Sequence, residues 1–147
     1  MAEKKTITVE NLISAPVEKV WVLWTEPSHI VNWAYASDDW EAPHAENDVR
    51  VGGKFKTVMA AKDGSESFDF TGTYTTVIPQ ELIEYVMDDG RNVTVQFQSM
   101  GDKTKLTETF EMEHTNTEDL QRTGWQAILE NFKKYVENNK RFDTITL

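Results

Sequence analysis

A run of short alternating segments from residue 48 to residue 113 most constrains what this chain can fold into. Within it, apolar and polar side chains alternate as they do in half-buried strands. Polar turn signals separate the segments at residues 62–65, 79–80, 88–91 and 100–103. Because short turns join antiparallel neighbours, the pattern predicts a continuous antiparallel meander.

Two helical segments rich in tryptophan flank the predicted meander. The first contains Trp21 and Trp24, and the second contains Trp125 within residues 123–132. A curved antiparallel sheet closed against a long terminal helix tends to enclose a space. We therefore expect the function to lie between sheet and helix rather than in a catalytic motif.

The segment before the meander predicts one strand and two short helices. Residues 6–13 alternate and predict a half-buried strand. Ser14 is a suitable N-cap for the first helix, whose apolar face follows the helical period. Pro27 should end or kink that helix, and a second short helix is predicted at about residues 28–33. Residues 34–47 then predict a long loop, which in a compact domain is often functional.

The final helix is predicted to begin near Thr117, with acidic residues in its first turn and lysines late in it. That polarity suits the helix dipole. Apolar residues cover most of the circumference of this helix, so we expect it to be deeply embedded.

These elements predict an α+β fold. A curved antiparallel sheet of six or seven strands should wrap around the long C-terminal helix, in one domain of residues 1–147. Gly52, Gly53 and Gly72 would let the sheet bend. Residues 143–147 could add a terminal strand.

Composition excludes several classes of function. The formal charge of −10 opposes binding to nucleic acid and to anionic membrane surfaces. The absence of cysteine excludes thiolate catalysis, disulfides and cysteine metal sites. The chain has neither a signal-peptide pattern nor an apolar run of the roughly 20 residues that a membrane span needs. We therefore expect a cytoplasmic protein with no nucleic-acid or membrane partner.

An ordered set of motifs resembles a known family. The motifs are SAPVEKVW at residues 14–21, WTEP at 24–27, Trp33, DVRVGGKF at 48–55, GTY at 72–74 before Pro79, and GW at 124–125. Together they resemble the family named after the activator of the ninety-kilodalton heat-shock chaperone ATPase. That family belongs to the START-like (birch-pollen-allergen-like, SRPBCC) superfamily, and the resemblance covers about residues 6–138.

The resemblance implies a helix-grip fold with a cavity between the sheet and the terminal helix. It implies binding of a ligand more often than catalysis, although some relatives in the superfamily are cyclases or hydrolases. The chaperone activators that gave the family its name carry an additional amino-terminal domain, and we expect none within the 147 residues of this sequence. A chaperone contact rests on the family name alone.

The aromatic residues could line an apolar pocket with a few polar handles, or they could simply fill the core. The predicted pocket residues are Trp33, Trp40, Phe55, Met59, Phe70, Tyr74, Tyr85, Phe97, Glu108, Trp125 and Leu129. Trp40, in the predicted loop, is the candidate gate, and Trp125 is the candidate floor. Gly124 could instead serve close packing of the helix on the sheet.

Glu108, His44 and Tyr85 are the weak candidates for catalysis. Glu108 shares its alternation face with Leu106 and Phe110. A carboxylate that faces a cavity would have a raised pKa and could act as a base or a ligand anchor. The alternative is a bulge that turns Glu108 outward, or a buried ion pair. His44 could shuttle protons at the cavity mouth, or it could be an exposed loop histidine.

Metal binding is not expected. The acidic run at residues 38–48 lacks calcium-loop and HExxH spacing, so it predicts a solvated acidic loop. Asp48 and Arg50 flank Val49 on a predicted strand. Their side chains should therefore project to the same side and form an ion pair. With no cofactor motif and no catalytic constellation, the sequence favours a non-enzymatic protein that binds a small apolar or amphipathic molecule.

Overall fold

The computed structural model describes residues 5–139. One seven-stranded antiparallel sheet curves around the C-terminal helix, in the strand order β1-β7-β6-β5-β4-β3-β2. The elements are β1 (Thr6–Ile13), α1 (Val17–Thr25), α2 (Pro27–Ile30), β2 (Trp40–Asn47), β3 (Lys54–Ala61), β4 (Ser67–Ile78), β5 (Leu82–Met87), β6 (Asn92–Ser99), β7 (Thr104–Glu111) and α3 (Glu118–Asn138). The predicted helix-grip fold is confirmed, and the terminal strand predicted at residues 143–147 lies outside the described residues.

The meander is antiparallel throughout, and its sequential strands are neighbours from β2 to β7. At the other edge of the sheet, β1 pairs with β7. The pairing runs from Thr6 opposite Glu111 to Ile13 opposite Thr104. No helix within residues 5–139 combines the length and the apolar character needed to cross a membrane.

The prediction of a long loop at residues 34–47 is wrong over most of its length, because β2 begins at Trp40. Within the described residues this strand lies at an edge of the sheet and pairs only with β3, and its register shifts between Glu41 and His44. Pro43 lies in that shift. Proline has no N–H to donate, so it is tolerated on an edge but breaks the alternation by which a strand is recognised.

The helix boundaries after β1 differ slightly from the predictions. Pro16, with extended backbone, is the N-cap residue of α1, so the prediction of Ser14 as the cap is wrong. The Ser14 amide instead donates to Glu137 Oε2 at 2.8 Å. Pro27 separates the two helices as predicted, since the preceding residue Glu26 has the extended backbone that a following proline imposes.

The N-terminus of α3 matches its prediction. The Thr117 hydroxyl accepts a hydrogen bond from the Leu120 amide at 3.1 Å, and acidic residues occupy the first turn. The helix is less embedded than its composition predicts. Its second half is buried at Leu129, Phe132 and Val136, whereas Leu120 in the first half is 59% exposed.

The predicted ion pair and the glycine positions are explained by the β2–β3 turn and by one cross-strand contact. Asp48 and Arg50 form the expected ion pair, with Nε and Oδ2 2.9 Å apart. The bend predicted within a strand at Gly52 and Gly53 is a turn between strands, because β2 ends at Asn47 and β3 begins at Lys54. Gly72 leaves room for the Phe55 ring: a Cβ at Gly72 would lie 2.7 Å from that ring.

Candidate ligand cavity

A cavity of about 570 Å³ lies between the inner face of the sheet and the first half of α3. Its wall is mostly apolar. The aromatic part of the wall consists of Trp24, Trp33, Phe55, Phe70, Tyr74, Tyr85 and Trp125, and Met59, Ile83, Met87 and Ile128 add aliphatic surface. Most residues that the sequence proposed for a pocket therefore line one space.

Trp40, Phe97 and Leu129 lie elsewhere. Phe97 packs edge-on against Trp21 under α1, with ring centroids 5.2 Å apart. Leu129 is fully buried in the core. Trp40 sits on β2 rather than in a loop, and its ring lies 5.8 Å from that of Phe68. The alternation pattern shows which face a side chain occupies, but not whether that part of the face borders the cavity.

Glu108 lies in the cavity wall and is only 5% exposed. Its strand pairs without interruption on both sides, opposite Val9 of β1 and Val95 of β6, so there is no bulge to turn it outward. Within residues 5–139 its carboxyl group has no hydrogen bond and no ion pair. The two alternatives, a bulge that turns Glu108 outward and a buried ion pair, are therefore both absent from the described residues.

Burial raises the pKa of Glu108 to about 8. The physical cause is the loss of water around the charged form, with no nearby cation among residues 5–139 to compensate. The carboxyl group therefore carries its proton at neutral pH in the empty cavity. It can donate a hydrogen bond in that form, and it becomes an acceptor when a cation arrives.

Tyr85 supplies a second polar group without a partner. It is 7% exposed, it lines the cavity, and its hydroxyl makes no hydrogen bond to any residue that the structure describes. Burial holds the pKa of Tyr85 well above its ordinary value, and the neighbouring Glu108 adds to the rise. Tyr74, in contrast, donates its hydroxyl proton to the Asn47 side chain. Asn47 is itself fixed by donating to the Thr25 carbonyl at 2.7 Å.

Gln121 lines the cavity from the first half of α3, and the sequence did not single it out. It is 7% exposed and joins the β7–α3 connection to the helix. Its side-chain NH₂ donates to the carbonyls of Glu113 and Asn116 at 3.2 and 2.8 Å, and its Oε1 accepts from the Glu113 amide at 3.0 Å. A buried polar residue early in an otherwise apolar helix face was the signal that could have found it.

The rim of the cavity combines acidic and apolar side chains. Five rim carboxylates belong to Glu46, Asp69, Asp88, Asp89 and Glu113. Phe68 and Leu120 also contribute to the wall and are 50% and 59% exposed. Arg91 is held by Asp89, with Nε and Oδ2 2.9 Å apart, and its Nη1 donates to the Glu111 carbonyl at 3.4 Å.

Gly124 borders the cavity from the first half of α3. A Cβ built on it would meet no atom within 4 Å, so close packing of the helix on the sheet is not its role. The adjacent Trp125 lies flat against Phe110, with ring centroids 3.8 Å apart and an angle of 11° between the planes. The missing side chain at Gly124 and the flattened indole at Trp125 both leave space open.

His44 lies outside the cavity. It is exposed on β2 and is paired with Glu46 at 2.8 Å, which lowers the pKa of that carboxyl group. His29 is hydrogen-bonded to the Tyr135 hydroxyl at 2.6 Å. Within the described range, no three or more His, Asp or Glu side chains come together as a metal site would require.

A sheet that grips a terminal helix around an apolar cavity defines the helix-grip class of START-like proteins. Within that class, the family model for Activator of Hsp90 ATPase homolog 1-like protein matches residues 14–137. The chain belongs to this family, as its motifs indicated.

Solved structures agree with the family assignment. An AHSA1-like protein from Aeromonas hydrophila is 47% identical with a TM-score of 0.85, over 90% of this chain and 92% of that chain. A protein from Cytophaga hutchinsonii is 52% identical with a TM-score of 0.79, over 92% and 94% of the two chains. A protein from Nitrosomonas europaea, 18% identical with a TM-score of 0.80 over 96% and 99%, shares the fold. No protein with a curated description matches the chain.

Proposed function

We propose that this protein binds a small apolar or amphipathic molecule in the cavity between the sheet and α3. The observation that carries the proposal is the cavity itself, about 570 Å³ with a largely aromatic wall. Ligand pockets commonly measure roughly 300–1,000 Å³ and combine apolar walls with a few polar groups. Protein interiors are otherwise packed with few voids larger than a water molecule.

Two features of the wall support a ligand rather than a packing defect. Glu108 and Tyr85 are almost completely buried, yet neither has a hydrogen-bond partner within residues 5–139. Their polar atoms face the cavity, so a hydrogen-bond partner for them has to come from water or from a ligand. A bound molecule with a polar end would supply that partner to both groups.

Fluorescence titration with a neutral, solvent-sensitive naphthalene dye tests the proposal. We expect saturable binding of one dye per chain, with emission shifted to the blue. Gly124→Leu should abolish this binding, because the new side chain projects into the space that Gly124 leaves open. Thr123→Leu is the matched control, since it adds the same side chain at the adjacent, exposed position.

Three results of this titration would contradict ligand binding in the cavity. The first is no saturable binding by the unmodified protein. The second is equal binding by the Gly124→Leu and Thr123→Leu variants. The third is loss of binding in Thr123→Leu alone. Circular dichroism of both variants distinguishes a blocked cavity from a misfolded chain.

One observation favours catalysis as a second candidate function. A buried carboxyl group whose pKa is about 8 is suited to general acid–base catalysis near neutral pH. If the cavity is an active site, molecules that bind should be converted, and Glu108→Gln should bind them without converting them. Mass spectrometry of each bound compound after incubation tests this, and recovery of every compound unchanged would exclude it. The chaperone contact rests on the family's name alone, so it stays a prediction.

A further inference from the structure

We propose that the preferred occupant of the cavity is an organic cation: a molecule with an apolar body and a protonated amine that meets the Glu108 carboxylate. This inference rests on the proposed function, because it names the class of ligand for the same cavity. Three features of the cavity carry this inference. They are the charge of the cavity wall, the unpaired state of Glu108 and the aromatic rings of the wall.

The rim of the cavity carries more carboxylates than cations. Its described residues include five carboxylates, those of Glu46, Asp69, Asp88, Asp89 and Glu113, and one guanidinium, that of Arg91. From outside the wall, Lys56 pairs with Asp69 at 3.6 Å and His44 pairs with Glu46 at 2.8 Å, which leaves an excess of negative charge. Arg91 is already bound to Asp89 at 2.9 Å. A cleft lined by one sign of charge concentrates ions of the opposite sign and repels like ones. The rim therefore attracts amines and disfavours anionic amphiphiles such as fatty acids.

Inside the cavity, the Glu108 carboxyl group has no counter-charge from any described residue. Its cross-strand partners are Val9 and Val95, which carry no charge. On the same face of the sheet, Tyr85 is neutral and has Arg91 nearby, and on α3 Gln121 uses its side chain to hold the β7–α3 connection. A buried carboxylate is stable only when a cation or several hydrogen-bond donors accompany it. An ammonium group from a ligand would provide both.

The aromatic wall suits the same class of ligand. Phe55 lies within 6 Å of three other rings of the wall, those of Phe70, Tyr74 and Tyr85, and the Trp125 ring lies 6.0 Å from that of Phe70. Faces of such rings attract cations, and the rings also bury an apolar body. A neutral ligand would gain only the second contribution.

Binding of an amine should be linked to a proton. In the empty cavity Glu108 holds its proton up to about pH 8, and a bound ammonium favours the ionised carboxylate. Binding below pH 8 therefore releases a proton, and affinity should rise with pH by up to about tenfold per unit. It should level off above pH 8 and fall once the amine loses its own proton, near pH ~10.

Three matched compounds test the inference by displacing the neutral naphthalene dye. Each carries a naphthalene ring on an ethyl chain, and the chain ends in an ammonium, a hydroxyl or a carboxylate group. We expect the amine to displace the dye at the lowest concentration and the carboxylate at the highest. Glu108→Gln should lose most of the preference for the amine and its dependence on pH, but should still bind the alcohol.

Glu84→Gln is the matched control for Glu108→Gln. Glu84 lies on β5 next to Tyr85, on the opposite face of the sheet, and Thr94 Oγ1 donates to it at 3.4 Å. This variant should bind all three compounds as the unmodified protein does. Equal loss of the preference for the amine in both variants would overturn the role of Glu108.

The outcomes separate this inference from the proposed function. If the dye itself does not bind, ligand binding in the cavity fails. If the dye binds but the carboxylate or the alcohol displaces it as well as the amine does, the cationic ligand is wrong and ligand binding stands. A preference for the alcohol that weakens above pH 8 would instead identify protonated Glu108 as a hydrogen-bond donor to a neutral ligand.

Discussion

The two halves of α3 face the same sheet, but one half is packed and the other borders a cavity. In the second half, Leu129, Phe132 and Val136 have no exposed surface. In the first half, Gly124 and Trp125 border about 570 Å³ of space. Both halves belong to one continuous helix, so the backbone path does not explain the difference.

The difference lies in a few side chains. The Phe132 ring fills the packed half by contacting the indoles of Trp24 and Trp33, with centroids 4.9 and 4.7 Å away. In the other half, Gly124 contributes no side chain and Trp125 lies flat on Phe110. A helix-grip fold can thus hold its sheet and helix together at one end while the other end stays open for a ligand.

The largest expected effect comes from removing the central ring of the packed half. Phe132→Ala should lower the free energy of unfolding by about 3–5 kcal/mol, because it leaves a cavity that its neighbours cannot fill. Trp125→Ala should cost only about 1–2 kcal/mol, since one side of that indole already borders open space. Urea unfolding of both variants measures the difference. Equal losses would mean that the two halves contribute equally to stability.

The next effect concerns the dependence of stability on pH. The pKa of Glu108 is about 8 in the folded chain against an ordinary value of 4.5, so between these values the folded state binds more protons than the unfolded state. Stability conferred by this group is therefore fully present below pH 4.5 and is lost as pH rises through 8. The loss should amount to about 3 kcal/mol, less than the full shift implies because the carboxyl group borders the cavity.

Glu108→Gln should remove that loss, so the variant should gain stability relative to the unmodified protein as pH rises from 4.5 to 8. Denaturant unfolding at several pH values measures the gain. Glu84→Gln is the control for the substitution itself, because Glu84 lies on the outer face of the sheet. Parallel profiles for the unmodified protein and Glu108→Gln would show that Glu108 is solvated or paired in solution.

The packed half was easier to predict from sequence than the open half. Periodicity and turn residues are local signals, so they place α3 after Thr117 and the strands of the meander in their order. Edge strand β2 escaped because Pro43 interrupts its alternation and its other edge has no neighbour within residues 5–139. Local signals also do not show long-range pairing, such as that of β1 with β7.

The cavity depends on distances that a pattern does not contain. Alternation correctly placed Glu108 on the inner face, but only the fold shows that no cation lies beside it within the described chain. Phe97 shares that inner face and nevertheless packs under α1, because its end of β6 lies beneath Trp21. At Gly124 the sequence allowed either close packing or open space. Choosing between them requires the position of the facing atoms.

The smallest expected effect tests the open half directly. Glycine inside a helix is less stable than alanine by roughly 0.5–1 kcal/mol, because it loses more backbone entropy on folding. A Cβ at Gly124 meets nothing within 4 Å, so Gly124→Ala should raise the free energy of unfolding by about that amount. Gly72→Ala is the contrast. There a Cβ would lie 2.7 Å from the Phe55 ring and 2.8 Å from the Val86 carbonyl oxygen, so this variant should be destabilised.

Gly124→Ala should also keep its affinity for the naphthalene dye within about twofold, since one methyl group takes up little of a cavity of about 570 Å³. Gly124→Leu should lose that affinity. If so, the glycine preserves space for a ligand at a small cost in stability, a compromise between stability and binding that is common at functional sites. A Gly124→Ala variant less stable than the unmodified protein would mean that the open half closes in solution.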